Sequence, residues 1–179
     1  MKSASAGQPD STPLDSRRPI RTIGHGRRTT DEIATLLLAA DVKTVIDVRR
    51  YPGGRRQPHL SRSRLSVDLP AQEISYEWWG EALGGRRSTN RASAVESNWR
   101  SPSFAAYSTY MSTAAFRGAL ADLEERAKAG EALAIMCAET VWWRCHRRLI
   151  ADALTLDAFD VEHIIERVPG MRHPTIGRS

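Results

Sequence analysis

The chain has 179 residues, 41% of them hydrophobic and 26% charged, which suits one packed domain and excludes a disordered polymer. No apolar run approaches the ~20 residues of a membrane span, and the polar N-terminus lacks a secretory core, so no membrane partner and a cytoplasmic location are expected. Two cysteines make no disulfide framework, and the net charge of +5 is local, with 12 basic against 4 acidic side chains in residues 17–64.

Residues 1–18, rich in Ser, Pro, Ala and Asp, predict a flexible leader. A single domain is expected over 19–167 and an irregular tail over 168–179. Ile20, Thr22 and Ile23 make a short extended run closed by Gly24 and Gly26. Thr29 and Glu32 stand at capping-box spacing, and Ile33, Leu36, Leu37 and Ala40 then share one helical face. Val42 to Arg49 reads as a second strand, apolar enough to be buried on both faces. Strand, short helix and strand in this order form a parallel βαβ unit.

Tyr51 to Pro70, dense in Arg, Pro and Gly, reads as a long loop of the kind that carries function. Glu73–Trp78 predicts a short strand, Leu83–Arg87 a turn, and 88–101 an irregular polar stretch. Phe104 to Met111 and then Phe116, Ala119, Leu120, Leu123 and Ala127 give helical periodicity that stops at Gly130. Ala132–Cys137 is the clearest buried strand. It leads through Ala138-Glu139-Thr140 into a predicted helix carrying His146, Leu149, Ile150, Ala153 and Leu154 on one face. Asp160–Ile165 is the last strand. The expected architecture is a three-layer α/β domain, a mostly parallel central sheet with helices on both faces.

Ligands of such folds gather at the carboxyl ends of the strands. Three of these ends are unusually polar: Gly24-His25-Gly26, Asp47-Val48-Arg49-Arg50 and Cys137-Ala138-Glu139. They are expected to face one crevice. The candidate catalytic residues are His25, Asp47, Cys137 and Glu139. Cys137 stands before a helix start, where dipole and free amides favour the thiolate; it fits a buried core position equally. Asp47 and Glu139 are an acid/base pair if apolar walls raise a carboxylate pKa, although Glu139 also suits a helix cap. His25 lies between two glycines, which permit close backbone approach.

The candidate substrate-binding residues are Arg49, Arg50, Arg144 and Arg147 for an anion, Trp143 to stack on a flat ligand, and His146 on the inward face. Arg144 comes one residue too late after Cys137 for a Cys-x5-Arg phosphatase loop, and 138–144 has none of the glycine of a persulfide loop. No metal is assigned. Cys137, Cys145 and His146 are zinc or iron ligand types, but Cys-x7-Cys-His is no common zinc spacing, and neighbours on a helix point about 100° apart. A metal cofactor through those three is therefore the secondary reading. The basic segment makes an anionic small molecule or nucleotide the expected partner, with nucleic acid on the loop 49–64 as the alternative. The oligomeric state is left open.

Thr22-Ile23-Gly24-His25, Asp47-Val48-Arg49 before Pro52, Leu83-Gly84-Gly85-Arg86, Tyr107 and Met111 before Phe116, and Cys137-Ala138-Glu139 with Cys145-His146-Arg147 occur in this order. Together they resemble the family called domain of unknown function 488, over residues 20–165. Gly26 stands where that family commonly carries Ser, which removes a hydroxyl. The resemblance implies a small intracellular α/β protein and names no activity. The function expected is that of an enzyme, a hydrolase or transferase, or of a ligand-binding protein acting on an anionic, nucleotide-like substrate. The alternatives are a nucleic-acid-binding module and a metal-binding or redox-sensing protein built on the Cys/His cluster.

Overall fold

All five residues of β4 (Leu133–Cys137) are buried, as a strand covered on both faces must be. In the computed structural model, which describes residues 18–87, 101–166 and 169–175, β4 lies inside a six-stranded sheet. The other strands are β1 (Ile20–Gly24), β2 (Thr44–Asp47), β3 (Ser75–Trp78), β5 (Val161–Ile164) and β6 (Met171–Arg172), in the spatial order β3-β2-β4-β1-β5-β6. Every pairing is parallel except that of β6 with β5.

Helices cover both faces. α1 (Thr30–Ala39) begins with the predicted capping box: the Thr29 hydroxyl accepts from the Glu32 amide at 3.2 Å, and the Glu32 carboxylate accepts from the Thr29 amide at 2.7 Å. With α2 (Arg62–Asp68) and Leu69, the residue that follows it, α1 buries Ile33, Leu37 and Leu65 against Ile23, Val45 and Met136. The opposite face is covered by α3 (Gly80–Leu83), α4 (Pro102–Met111), α5 (Ala114–Lys128) and α6 (Arg147–Leu156), which pack Tyr107, Phe116, Leu123 and Ile150 on Ile20, Ile46 and Ile135. Among the described residues no helix is long and apolar enough to cross a membrane.

Five expectations need correction. The long loop 51–70 contains a 3-10 turn at Pro58–Leu60 and α2, because Leu60, Leu65 and Leu69 are sunk in the core. The helical run 104–127 is two helices, parted where the Thr113 side chain caps α5 through the Phe116 amide at 3.3 Å. The stretch 83–87 is a turn only after α3 ends at Leu83. Residues 138–146 are not a helix; they form an irregular loop with a 3-10 turn at Trp142–Arg144 before α6. The tail is not wholly irregular, since Met171–Arg172 pair with β5 and the His173 amide donates to Val161 at 2.8 Å. The predicted leader, apart from Arg18, and the polar stretch 88–100 lie outside the described residues.

A buried relay ties this tail to the domain. Thr22 Oγ1 meets His163 Nδ1 at 2.7 Å, His163 Nε2 meets His173 Nδ1 at 2.9 Å, and His173 Nε2 meets Asp152 at 2.8 Å. Trp142 stacks on His163 at 4.2 Å. Burial, and then the neighbouring His173, lower the His163 pKa to about 3, so the ring is neutral.

Candidate functional site

β4 has β2 on one side and β1 on the other, so the three polar strand ends lie side by side. The amides of His25 and Gly26 donate to the carbonyls of Cys137 and Ala138, both at 2.9 Å, and the Val48 amide donates to Met136 at 3.0 Å. The chain leaves β1 and β2 towards one face and β4 towards the other. Connections that part in this way open a crevice at the strand ends. The single crevice expected is in fact two, one on each flank of β4 with Ala138 between them, so Cys137 and Glu139 open to different sides.

The β2–β4 crevice is a pocket of about 150 Å³, walled by Arg49, Arg50, Tyr51, Gly85 and Arg86 and reaching Cys137 and His146. The β1–β4 crevice is a wide groove of about 900 Å³ walled by Gly26, Arg27, Arg28, Glu139 and Thr140. At its base the carbonyl of Glu139 crosses Gly24 so closely that a Cβ there would stand 2.0 Å from that oxygen.

Behind the pocket a closed network holds β2 to β1. Asp47, 0% exposed, accepts from Arg49 Nε at 2.9 Å, Arg49 Nη2 at 2.6 Å, the Arg49 amide at 3.0 Å and the Tyr76 hydroxyl at 2.7 Å. Arg49 Nη1 donates to His25 Nε2 at 2.9 Å, so His25 Nδ1 carries the hydrogen and donates to Gly26 O at 3.0 Å. Burial, with the Arg49 charge next, lowers the His25 pKa to about 4. Both candidate catalytic residues of this cluster, Asp47 and His25, are therefore fully engaged. Their arrangement fixes the Arg49 guanidinium in the pocket wall.

At the pocket floor stand two sulfurs and an imidazole. Cys145 Sγ is 3.0 Å from Cys137 Sγ, and His146 Nδ1 lies 3.8 Å from Cys137 Sγ and 3.6 Å from Cys145 Sγ. His146 Nε2 is 3.2 Å from the carbonyl of Val48. A carbonyl only accepts, so Nε2 carries the hydrogen and the Nδ1 lone pair faces the sulfurs. The backbone amide of Arg147 donates to Cys145 Sγ at 3.5 Å. The Cys145 thiol, then His146 and the Arg147 charge, hold the Cys137 pKa well below the ordinary thiol value against the opposing effect of burial. Cys145 and His146 converge because they precede α6: Cys145 is extended, and His146 is the residue before the first helical position. The helical divergence expected of them does not arise.

Two orphaned arginines flank this floor. Arg50 gives Nε to the Tyr51 hydroxyl at 3.3 Å, and its Nη1 is shielded from water with no partner among the described residues. Arg147 is 1% exposed, gives Nη2 to the carbonyls of Glu139 at 3.1 Å and Thr140 at 3.3 Å, and leaves Nε and Nη1 unpaired among the described residues. Arg86 adopts a left-handed conformation with φ 56°. Gly85 leaves room in front of His146, where a Cβ would stand 2.7 Å from Nδ1.

The remaining candidates lie elsewhere. Glu139 is exposed in the groove, where its carboxylate accepts from the Val141 amide at 3.2 Å within the loop. It caps no helix, since neither the 3-10 turn nor α6 carries a side-chain cap. Trp143 is exposed with its edge on Trp142, and Arg144 is exposed; neither walls the pocket. Within the basic segment, Arg62 lies 4.3 Å over the Trp78 ring, Arg64 pairs with Asp68 at 3.2 Å, and Arg28 donates to Gly24 O at 2.8 Å. Arg27, Arg55 and Arg56 are exposed. Sequence reasoning missed Tyr76, Arg86 and Gly85 as parts of the site. The doubled glycine before Arg86 was the available signal for the last two. Tyr107, whose ring packs 5.0 Å from His146 and whose hydroxyl donates to Leu83 O at 2.6 Å, carried only its apolar periodicity and its place among the residues of the family resemblance.

No curated protein and no solved structure matches the chain in comparison. The profile of one family, described as "Domain of unknown function DUF488", matches residues 29–154. That span holds β2, β4, the pocket arginines, both cysteines and His146, and the chain belongs to this family.

Proposed function

We propose that this protein binds an anionic, nucleotide-like small molecule in the pocket between β2 and β4 and acts on it with the groups at the pocket floor. The observation that carries the reading is Arg50, which walls the pocket and keeps its Nη1 buried with no acceptor among the described residues. An unsatisfied buried donor costs about 1–3 kcal/mol, and more when charged. A ligand oxygen in the pocket, met by a turn of the Arg50 side chain, removes that cost. Arg86 supports the same reading, because its left-handed backbone is strain of about 1–3 kcal/mol of the kind held at ligand clamps.

The volume selects the ligand group. About 150 Å³ is below the usual 300–1,000 Å³ of a pocket that swallows a whole drug-sized molecule. It takes one compact anionic group, such as a phosphoryl, and leaves the rest of the ligand at the mouth. Tyr51, 67% exposed beside Arg50, offers a flat ring there for a base. The chemistry assigned is hydrolysis or transfer at the anionic group. Arg49 and Arg50 hold the charge, while the floor built by Cys137 and His146 lies beneath the reacting atoms. His25, Asp47 and Tyr76 act one step back, as positioning residues for Arg49.

Equilibrium titration with orthophosphate and with a nucleoside monophosphate tests this. Both bind the wild type, the nucleotide at least tenfold more tightly, and Arg50→Met weakens both at least tenfold. Affinity indifferent to Arg50→Met overturns the reading. So does binding of an oligonucleotide alone, with steep salt dependence that follows Arg55 and Arg56, which transfers the function to a polymer interface.

A further inference from the structure

We propose that Cys137, Cys145 and His146 are three ligands of a zinc ion whose fourth position opens into the arginine-lined pocket. The inference rests on the proposed function only for what fills that fourth position; the three-ligand centre stands on its own geometry.

Zinc–sulfur bonds of about 2.3 Å and a zinc–nitrogen bond of about 2.0 Å place tetrahedral sulfurs about 3.8 Å apart and each sulfur about 3.5 Å from the nitrogen. Here the nitrogen stands 3.8 and 3.6 Å from the two sulfurs, which matches both edges. The sulfurs, 3.0 Å apart, need to separate by about 0.8 Å to match the third. The three donor atoms lie within 4.8 Å of one another. His146 Nδ1 favours neither sulfur, as a shared coordination centre requires and a dedicated Cys–His proton pair does not.

The surroundings are those of ligands. A zinc-bound imidazole gives its other N–H to an acceptor that fixes tautomer and ring orientation, and His146 gives its Nε2 hydrogen to Val48 O at 3.2 Å. A coordinated thiolate gathers amide donors, and Cys145 Sγ takes the Arg147 amide at 3.5 Å. Gly85 lies in front of the nitrogen without positive φ, so its missing side chain serves space rather than backbone freedom. A methyl group there would stand 2.7 Å from Nδ1, where the ion belongs.

Charge decides the fourth ligand. Two thiolates neutralise Zn²⁺, and the buried charge of Arg147 remains over with two donors unpaired. An anionic fourth ligand balances it, and the pocket delivers one from the side of Arg49 and Arg50. Three protein ligands with one open position is the catalytic zinc pattern, in which the ion polarises a bound oxygen.

The test uses the full-length protein purified without chelators. Elemental analysis is expected to give one zinc per chain, and Co²⁺ replacement to give sulfur-to-cobalt charge transfer with the visible bands of a tetrahedral site. Cys145→Ser and His146→Gln are expected to lose at least nine-tenths of the metal, and Gly85→Ala to weaken Zn²⁺ at least tenfold. Arg50→Met, which touches no ligand, is expected to keep full zinc while losing phosphate, so failure of the metal centre and failure of the anion pocket read out separately. Substoichiometric zinc with no cobalt–thiolate band in the reduced wild type overturns the proposal whether or not the variants fold. So does a Cys137–Cys145 disulfide that forms unimpeded by excess Zn²⁺.

Discussion

Two polar clusters sit a few ångströms apart at the same end of the sheet and are built to opposite rules. In the Asp47–Arg49–His25–Tyr76 cluster every oxygen of Asp47 is occupied, the guanidinium is held by two partners, and the histidine is neutral with both ring nitrogens bonded. In the Cys137–Cys145–His146 cluster the imidazole is pinned from behind and its remaining lone pair is offered to two sulfurs at the foot of a pocket. The first has its carboxylate and imidazole fully used and keeps only the second N–H of each Arg49 Nη for the pocket, so Asp47, His25 and Tyr76 work as a scaffold. The second keeps one lone pair and two sulfurs available beside unpaired guanidinium nitrogens. Titratable residues at a crevice are not equal candidates for chemistry; unspent valence separates them.

That contrast is sharpest in stability. Asp47→Asn keeps the shape but leaves Arg49 as a buried charge without its counter-ion, and breaking one partner of such a pair costs about 3–5 kcal/mol. Urea unfolding measures it, and a loss below about 1 kcal/mol would dissolve the distinction. The pH dependence is next in size. The folded pKa of His25, about 4, lies below its ordinary 6.5, so between these values the unfolded chain binds more protons. Stability is therefore full above pH 6.5 and falls as the pH drops towards 4, by roughly 2 kcal/mol at pH 5 from His25 alone. His163, with a folded value of about 3, extends the loss in the same direction. Denaturant midpoints at pH 7 and pH 5 read the effect, and His25→Gln should shrink it. The smallest effect is expected of Arg50→Met. Removing an unpaired donor from the pocket wall should leave the melting temperature unchanged or slightly raised while ligand affinity falls. A variant that melts markedly lower would return Arg50 to the scaffold.

The layers of the fold were legible because burial leaves periodicity. Ala132–Cys137 could be read as a covered strand, and Thr29 with Glu32 as a helix start, from residue type and spacing alone. The strand-end convergence was legible too, since parallel strands joined by crossovers must end on one side. Distribution of roles within the crevice was not. Asp47 and His25 look reactive in sequence, yet Tyr76, distant in the chain, and the Arg49 fork consume them. Glu139 looks like an acid but stands exposed in the β1–β4 groove, with one oxygen on the Val141 amide, outside the pocket. The Cys145–His146 pair was discounted on helical geometry that never forms, because the loop 138–146 is held by Arg147 to its own carbonyls instead of coiling. Such tertiary hydrogen bonds have no period, so no pattern announces them.

The pocket itself offers the most direct check. A crystal of the full-length protein soaked in tungstate, a tetrahedral oxyanion located by its anomalous scattering, should show the anion within hydrogen-bond distance of Arg50 Nη1 and above Cys137. Tungstate found only in the groove of Arg27 and Arg28, with the β2–β4 pocket empty, would contradict the account.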